Sequence, residues 1–143
     1  MKLNCLPLSS WSAARPYVRQ IHDPLVVSAL IEIERRHGEP HLGWHALCHP
    51  LPSPSLSALC KRFSRATGML FRQHLRAVRM RHAARLLADD TRTLADVAFD
   101  VGYSQVSNFN RDFRRWYQVT PHRFRHLQAD PLLGGLPMQQ INC

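Results

Sequence analysis

Thr93 to Arg125 read TLADVAFDVGYSQVSNFNRDFRRWYQVTPHRFR. Leu94, Val97, Ala98 and Val101 recur at i, i+3, i+4 and i+7, the one-sided apolar stripe of a short helix. Ala98 is small where a second helix must cross closely. Gly102 stands where the chain has to turn, and glycine accepts a positive φ without steric cost. Ser104 is placed to cap the helix that follows, since its hydroxyl can accept from a free amide of the first turn. That helix turns Phe109 and Phe113, four apart, towards the core. Gln105, Ser107, Asn108 and Arg111 then lie off the buried face, and these are side-chain types that bond base edges and phosphates. A Pro-anchored third piece opens at Val119-Thr120-Pro121. Helix, glycine turn and helix in this order form the helix-turn-helix pattern, whose second helix enters the DNA major groove.

The charge of the chain supports that reading. Its 143 residues allow one domain with a real core, and its net charge is +9. Residues 61–125 hold 14 Lys/Arg against 5 Asp/Glu, whereas the remainder holds 5 of each. All the excess therefore lies in one half, mostly as arginine, the footprint of a phosphate-binding face. A membrane surface fits less well, because no stretch approaches about 18 consecutive apolar residues. Cys5, Cys48, Cys60 and Cys143 follow no framework spacing. Met1 to Leu8 is too short and Pro-broken for a signal peptide. Free thiols in a reducing cytoplasm are the simplest account.

Upstream, residues 1–20 show no periodicity and read as an irregular leader. Asp23-Pro24 starts a helix, with Asp23 as N-cap and Pro24 at the first helical position. Val26, Val27, Leu30, Ile31 and Ile33 supply its apolar side, and Gly38 stops it. Trp44, Leu47 and Cys48 suit one buried helical turn before Pro50, Pro52 and Pro54 forbid a regular helix. Ser55 caps the next helix, which buries Leu56, Leu59 and Phe63 and ends at Thr67-Gly68. The longest helix spans about 70–88, with Phe71, Leu75, Val78 and Leu86 inward and Arg72, Arg76, Arg79, Arg81 and Arg85 beside them. Asp89-Asp90 breaks it, and a loose tail is expected from Leu127 onward.

The chain repeats itself at an offset of 50. Ser57, Leu59, Lys61, Phe63 and Arg65 match Ser107, Phe109, Arg111, Phe113 and Arg115, and the match reaches back weakly to Leu47 and Val97. The implied fold is all-α: two helix-turn-helix units, at about 42–68 and 93–125, joined by one long linker helix within a domain of residues 21–126. The run from Val97 through Ser104, with Ser107 to Arg114 and Val119 to Arg125, resembles the second helix-turn-helix of AraC/XylS-type transcription regulators. The resemblance covers Asp23 to His126. Gly68, Phe71, Leu75, Arg79, Ala83, Leu86 and Leu87 resemble that family's linker-helix pattern.

A rigid double unit can set two recognition helices in successive major grooves, about 34 Å apart. The second would read DNA through Ser104, Gln105, Ser107, Asn108 and Arg111. Arg111 leads this set because arginine pairs in bidentate fashion with guanine; a phosphate contact or an ion pair with Asp112 is the competing role. The first would present Ser55, Leu56, Ser57, Cys60 and Lys61. Lysine lacks the planar fork of arginine, so this helix is expected to add grip more than reading. Arg62, Arg65, Arg114 and Arg115 are candidate phosphate clamps or solvated surface. The first unit also departs from the family. Cys48-His49-Pro50-Leu51-Pro52-Ser53-Pro54 replaces a glycine-type turn and carries what reads as one extra residue. This should shorten the scaffold helix and weaken the seating of the next one, which Leu59 and Phe63 still anchor from below.

Other chemistries fit poorly. His41, His45, Cys48 and His49 could share a helical face suited to zinc, but Gly43 and Pro50 weaken that helix and no CxxC pair completes it. No metal or cofactor is expected. The chain has no Gly-rich phosphate loop, nucleophile elbow or paired carboxylates, so it does not read as an enzyme. The expected partner is double-stranded promoter DNA, with RNA polymerase as a second candidate. With only about 20 residues before the first helix, no effector domain or small-molecule ligand is expected. Two alternatives stay open: a basic helical protein-interaction module, and a truncated regulator with little specific binding.

Overall fold

The computed structural model describes residues 21–48 and 55–129. The expectations for residues 1–20, for Pro50 to Pro54 and for the chain beyond Ala129 lie outside them. Among the described residues the chain is all helical: α1 Pro24–Arg36, α2 Trp44–Cys48, α3 Leu56–Thr67, α4 Phe71–Leu86, α5 Leu94–Asp100, α6 Val106–Tyr117 and α7 Pro121–Ala129.

Local chemistry sets the helix ends. Asp23 Oδ1 accepts from the amides of Leu25 and Val26 at 3.1 and 3.4 Å, and Pro24 occupies the first helical position. Ser55 Oγ accepts from the amide of Ala58 at 3.1 Å. Thr93 and Asp96 form a reciprocal capping box on α5, with bonds of 3.0 and 3.1 Å. The start of α6 corrects the expectation for Ser104. Its N-cap is Gln105, one residue later, and no side chain caps it. The stripe buried by α1 is Val26, Ala29, Leu30 and Ile33, while Ile31 is 58% exposed. Those four follow the i, i+3, i+4, i+7 rule that Ile31 breaks. On α3, Leu56 is likewise 46% exposed rather than buried. Gly38 does not stop α1 by a left-handed cap, since only Gly68 and Gly102 among the described glycines have positive φ.

The repeat is literal in three dimensions. Helices α2 and α5 start at 44 and 94, α3 and α6 at 56 and 106, and α4 and α7 at 71 and 121. The spacing between successive starts is thus the same in both units, and no residue is inserted in the first. Helices α3 and α6 each span 12 residues, and each ends on a left-handed residue, Gly68 at φ 70° and Gln118 at φ 61°. Leu59 and Phe63 are buried as Phe109 and Phe113 are, so α3 is seated despite the proline-rich run.

Two cores lie along α4. Its first half sends Phe71, Leu75 and Val78 into a core with Val26, Ile33, Leu47 and Phe63. Its second half sends Met80, Ala83 and Ala84 into a core with Val97, Ala98, Phe109 and Phe113. Trp44 packs edge-on against Phe63, with ring centroids 5.2 Å apart. Buried Tyr117 donates to the Met80 carbonyl at 3.2 Å, and burial pushes its phenol up to about 12. Helix α7 includes Leu127 to Ala129, which the sequence assigns to a loose tail. It is held there by buried Phe124 and by Arg125, which donates to the carbonyls of Leu87 and Arg92 at 3.3 and 2.8 Å.

Candidate nucleic-acid interface

Because Phe109, Asp112, Phe113 and Tyr117 face inward, α6 turns one polar stripe outward. Along it Arg111 donates to Asn108 Oδ1 at 3.1 Å, and Asn108 Nδ2 donates to Gln105 Oε1 at 3.4 Å. Ser107 is exposed beside them. The three linked side chains sit at i, i+3 and i+6, so they follow one line along the helix. The Arg111 side chain is 60% exposed, and its Nε lies 4.0 Å from Asp112 Oδ1, the outer limit of an ion pair. It is therefore steered by neutral amides and left available to an acceptor outside the protein. Ser104 is exposed in the turn, one residue short of this helix.

Asp112 has closer partners. It is buried, accepts from the Tyr103 hydroxyl at 3.1 Å, and pairs with Arg76 of α4 at 3.2 Å. The sequence suggests Asp112 as an ion-pair partner for Arg111. Asp112 instead ties α6 to the α5–α6 turn and to α4. Burial, then the nearby Asp112 carboxylate, pushes the Tyr103 phenol up, so it stays protonated and donates.

The matching face of α3 is plainer. Ser55, Leu56, Ser57 and Lys61 are exposed, and the Cys60 thiol is half-buried. Ala58 stands where α6 has Asn108, so no amide steers Lys61 as Asn108 steers Arg111. Arg62, expected as a phosphate clamp, is redirected inward. Its Nε and Nη2 grip the two carboxylate oxygens of Asp23 at 2.6 and 2.7 Å, holding α3 to the start of α1. The hydrogen bond from Arg62 keeps Asp23 below the usual carboxylate range.

This division runs through all the described cations. Arg35, Arg36, Arg62, Arg76, Arg79, Arg81, Arg92 and Arg125 bond to carboxylates or carbonyls within the domain. Of the arginine series on α4, Arg76, Arg79 and Arg81 thus brace the domain, while Arg72 and Arg85 stay open. Among the described residues, Lys61, Arg65, Arg72, Arg85, Arg114, Arg115 and Arg123 have no ion-pair or side-chain hydrogen-bond partner. Four of these seven lie on α3 or α6. A groove of about 610 Å³ beside α6 is lined by Arg111, Arg114, Arg115 and His122. A cleft of about 750 Å³ between the units is lined by Cys60, Arg72, Arg76 and Asp112. Unpartnered cations around concave surface suit a polyanion.

Among the described residues no three His, Cys, Asp or Glu side chains stand close enough to hold a metal, and no helix is long and apolar enough to cross a membrane. His49 of the histidine-rich run lies outside them.

A family model described as a helix-turn-helix domain matches residues 54–127. The HTH-type transcriptional activator RhaR of Escherichia coli K12 is 34% identical over 77 residues, which cover 54% of this chain and 27% of that protein. The chain thus spans about a quarter of the curated relatives it matches. Among solved structures, the C-terminal domain of AraT from Geobacillus stearothermophilus, a response regulator, superposes with a TM-score of 0.70 at 24% identity, over 75% of this chain and 87% of that one. A probable AraC family transcriptional regulator from Rhodopseudomonas palustris CGA009 gives 0.64 at 25% identity, over 76% and 100%. The DNA-binding domain of the global transcriptional factor AdpA, solved with a target DNA, gives 0.68 at 20% identity, over 75% and 95%.

Proposed function

The chain belongs to the AraC/XylS type of helix-turn-helix DNA-binding domains, and from that premise we propose how it regulates transcription: α3 and α6 enter successive major grooves of promoter DNA, and α6 does most of the reading. The carrying observation is the outward line Gln105, Asn108 and Arg111, set between a buried aromatic face and the unpartnered Arg114 and Arg115. In this reading Gln105, Ser107, Asn108 and Arg111 address base edges. Ser55, Leu56, Ser57, Cys60 and Lys61 line the first groove with less selectivity. Arg65, Arg114 and Arg115 hold phosphates, and Ser104 approaches the backbone from the turn. Arg62 is left out of this set because Asp23 occupies it.

The protein acts on DNA in the cytoplasm without chemistry of its own, and RNA polymerase is the partner that a DNA-bound activator recruits. The test is a titration against a duplex recovered from a randomised pool, at several salt concentrations. With about five phosphates contacted, log affinity falls with log salt at a slope of about −4 to −5. Arg111→Ala weakens the selected duplex by about 10- to 100-fold and relaxes preference at one base pair, while the salt slope shifts by at most about 1. A shallow slope with an indifferent Arg111 overturns the proposal and favours a protein-interaction module.

A further inference from the structure

Two glycines, one in each unit, press against the backbone of the other. Gly38 lies in the α1–α2 turn, and a Cβ there would stand 2.7 Å from the Asp100 carbonyl oxygen at the end of α5. Gly102 lies in the α5–α6 turn, and a Cβ there would stand 2.7 Å from the His37 carbonyl oxygen. The contact is reciprocal: each turn has glycine where a carbonyl of the other arrives. Arg79 reaches this seam from the middle of α4. Its Nε donates to the His37 carbonyl at 2.9 Å and its Nη2 to the Glu39 carbonyl at 2.6 Å. On the other side its guanidinium lies 5.5 Å from the centre of the Tyr103 ring. Tyr103 then bonds Asp112, the residue after Arg111. A continuous line of contacts therefore runs from the α1–α2 turn through Arg79 and Tyr103 to α6.

Helix α4 alone does not fix how the units sit. Its 16 residues make a rod about 24 Å long. A rod sets separation, yet units anchored to its two halves can still twist or bend about it. A contact off the rod's axis removes that freedom. The Arg79 partners are carbonyls and an aromatic face, so its hold is directional and depends on the planar fork that lysine lacks.

We propose that this seam, pinned by Arg79 as a positioning residue, is the spacing gauge of the domain: it locks α3 and α6 in one relative orientation and so admits one separation of the two DNA half-sites. The claim about half-sites rests on the DNA-reading function proposed above, whereas the claim about orientation stands on the seam alone. One inserted base pair rotates a half-site by about 34° as well as moving it away, given about 10.5 base pairs per turn. A locked pair of helices cannot follow that rotation.

Two variants disturb the seam differently. Arg79→Lys keeps the charge and removes the fork. Gly38→Ala suits the turn itself, whose φ is not in the left-handed region, but drives a methyl into Asp100. Residual dipolar couplings of the free chain are the first readout. Couplings from α3 and α6 fit one alignment tensor in the parent and need two in either variant, while amide shifts within each helix stay in place. The second readout is affinity for a duplex recovered from a randomised pool, with and without one base pair inserted between the half-sites. The parent loses at least about tenfold on insertion, the variants under about threefold, and all bind the isolated α6 half-site alike. A parent that needs two tensors overturns the gauge, as do folded variants that keep one tensor and the parental insertion penalty. A parent with one tensor but no salt-dependent duplex binding overturns the DNA-reading function and leaves the lock standing.

Discussion

At the scale of single residues, the partner a side chain finds in the fold decides what it does. The outward placement of Gln105, Ser107, Asn108 and Arg111 follows from the spacing of Phe109 and Phe113 alone. The fate of Arg62 depends on Asp23, 39 positions away, and no local pattern signals that bond. Arg79 binds backbone carbonyls 40 and 42 positions away, which leave no mark on side-chain identity at all. His74 is a residue of the same kind. Its ring packs edge-on against Phe63 with centroids 5.6 Å apart. Burial pushes it down from 6.5 to about 4, so it is neutral in the fold. The unfolded chain takes up that proton near pH 6.5 and the folded chain only near 4. Stability is therefore full above pH 6.5, falls as the pH drops between those values, and levels off below. His37 adds to the slope in the same direction, held near 4 by burial and by the charges of His82 and Arg79. Phe124, 50 positions on from His74, is buried. His74→Phe therefore gives a shallower loss of urea midpoint between about pH 7 and pH 5 than the parent shows. An unchanged slope would show that His74 does not titrate with unfolding.

At the scale of elements, the offset-50 pattern carried most of the information. It gave the paired helices correctly because a large buried apolar residue at the fourth helical position, a buried phenylalanine at the eighth and a left-handed end recur in both. The first unit's scaffold helix is shorter, as its prolines imply: α2 has 5 residues and α5 has 7. Leu59 and Phe63 still seat α3, and the tie from Arg62 to α1, which no local pattern signals, adds to them. The two C-caps differ in one useful way. Gly68 meets the left-handed requirement without strain, while Gln118 meets it at φ 61° with a side chain attached. A non-glycine residue there costs about 1–2 kcal/mol, offset in a Gly variant by about 0.4–1 kcal/mol of extra unfolded-state freedom. Gln118→Gly also loses the bond from Gln118 Nε2 to the Arg115 carbonyl. The expected net gain is about 0.5 kcal/mol, a rise of about 2–4 °C in the thermal midpoint. A lower midpoint would mean that the side-chain bond outweighs the backbone strain.

At the scale of the whole molecule, two cores threaded on α4 carry two faces of unequal quality. Net charge predicted a basic surface. It did not predict that most of the arginines on α4 would brace the interior and leave α3 and α6 the larger share of open cations. The faces themselves differ by one residue pair: Asn108 steers Arg111, and Ala58 gives Lys61 no such guide. That asymmetry is the central claim, and it concerns where sequence is read. The direct measurement replaces each base pair of the selected duplex in turn and records the binding penalty at fixed salt. The account predicts penalties of about 1–3 kcal/mol concentrated in the half-site under α6, and under about 0.5 kcal/mol at most positions under α3. Equal penalties in the two half-sites, or larger ones under α3, would contradict it.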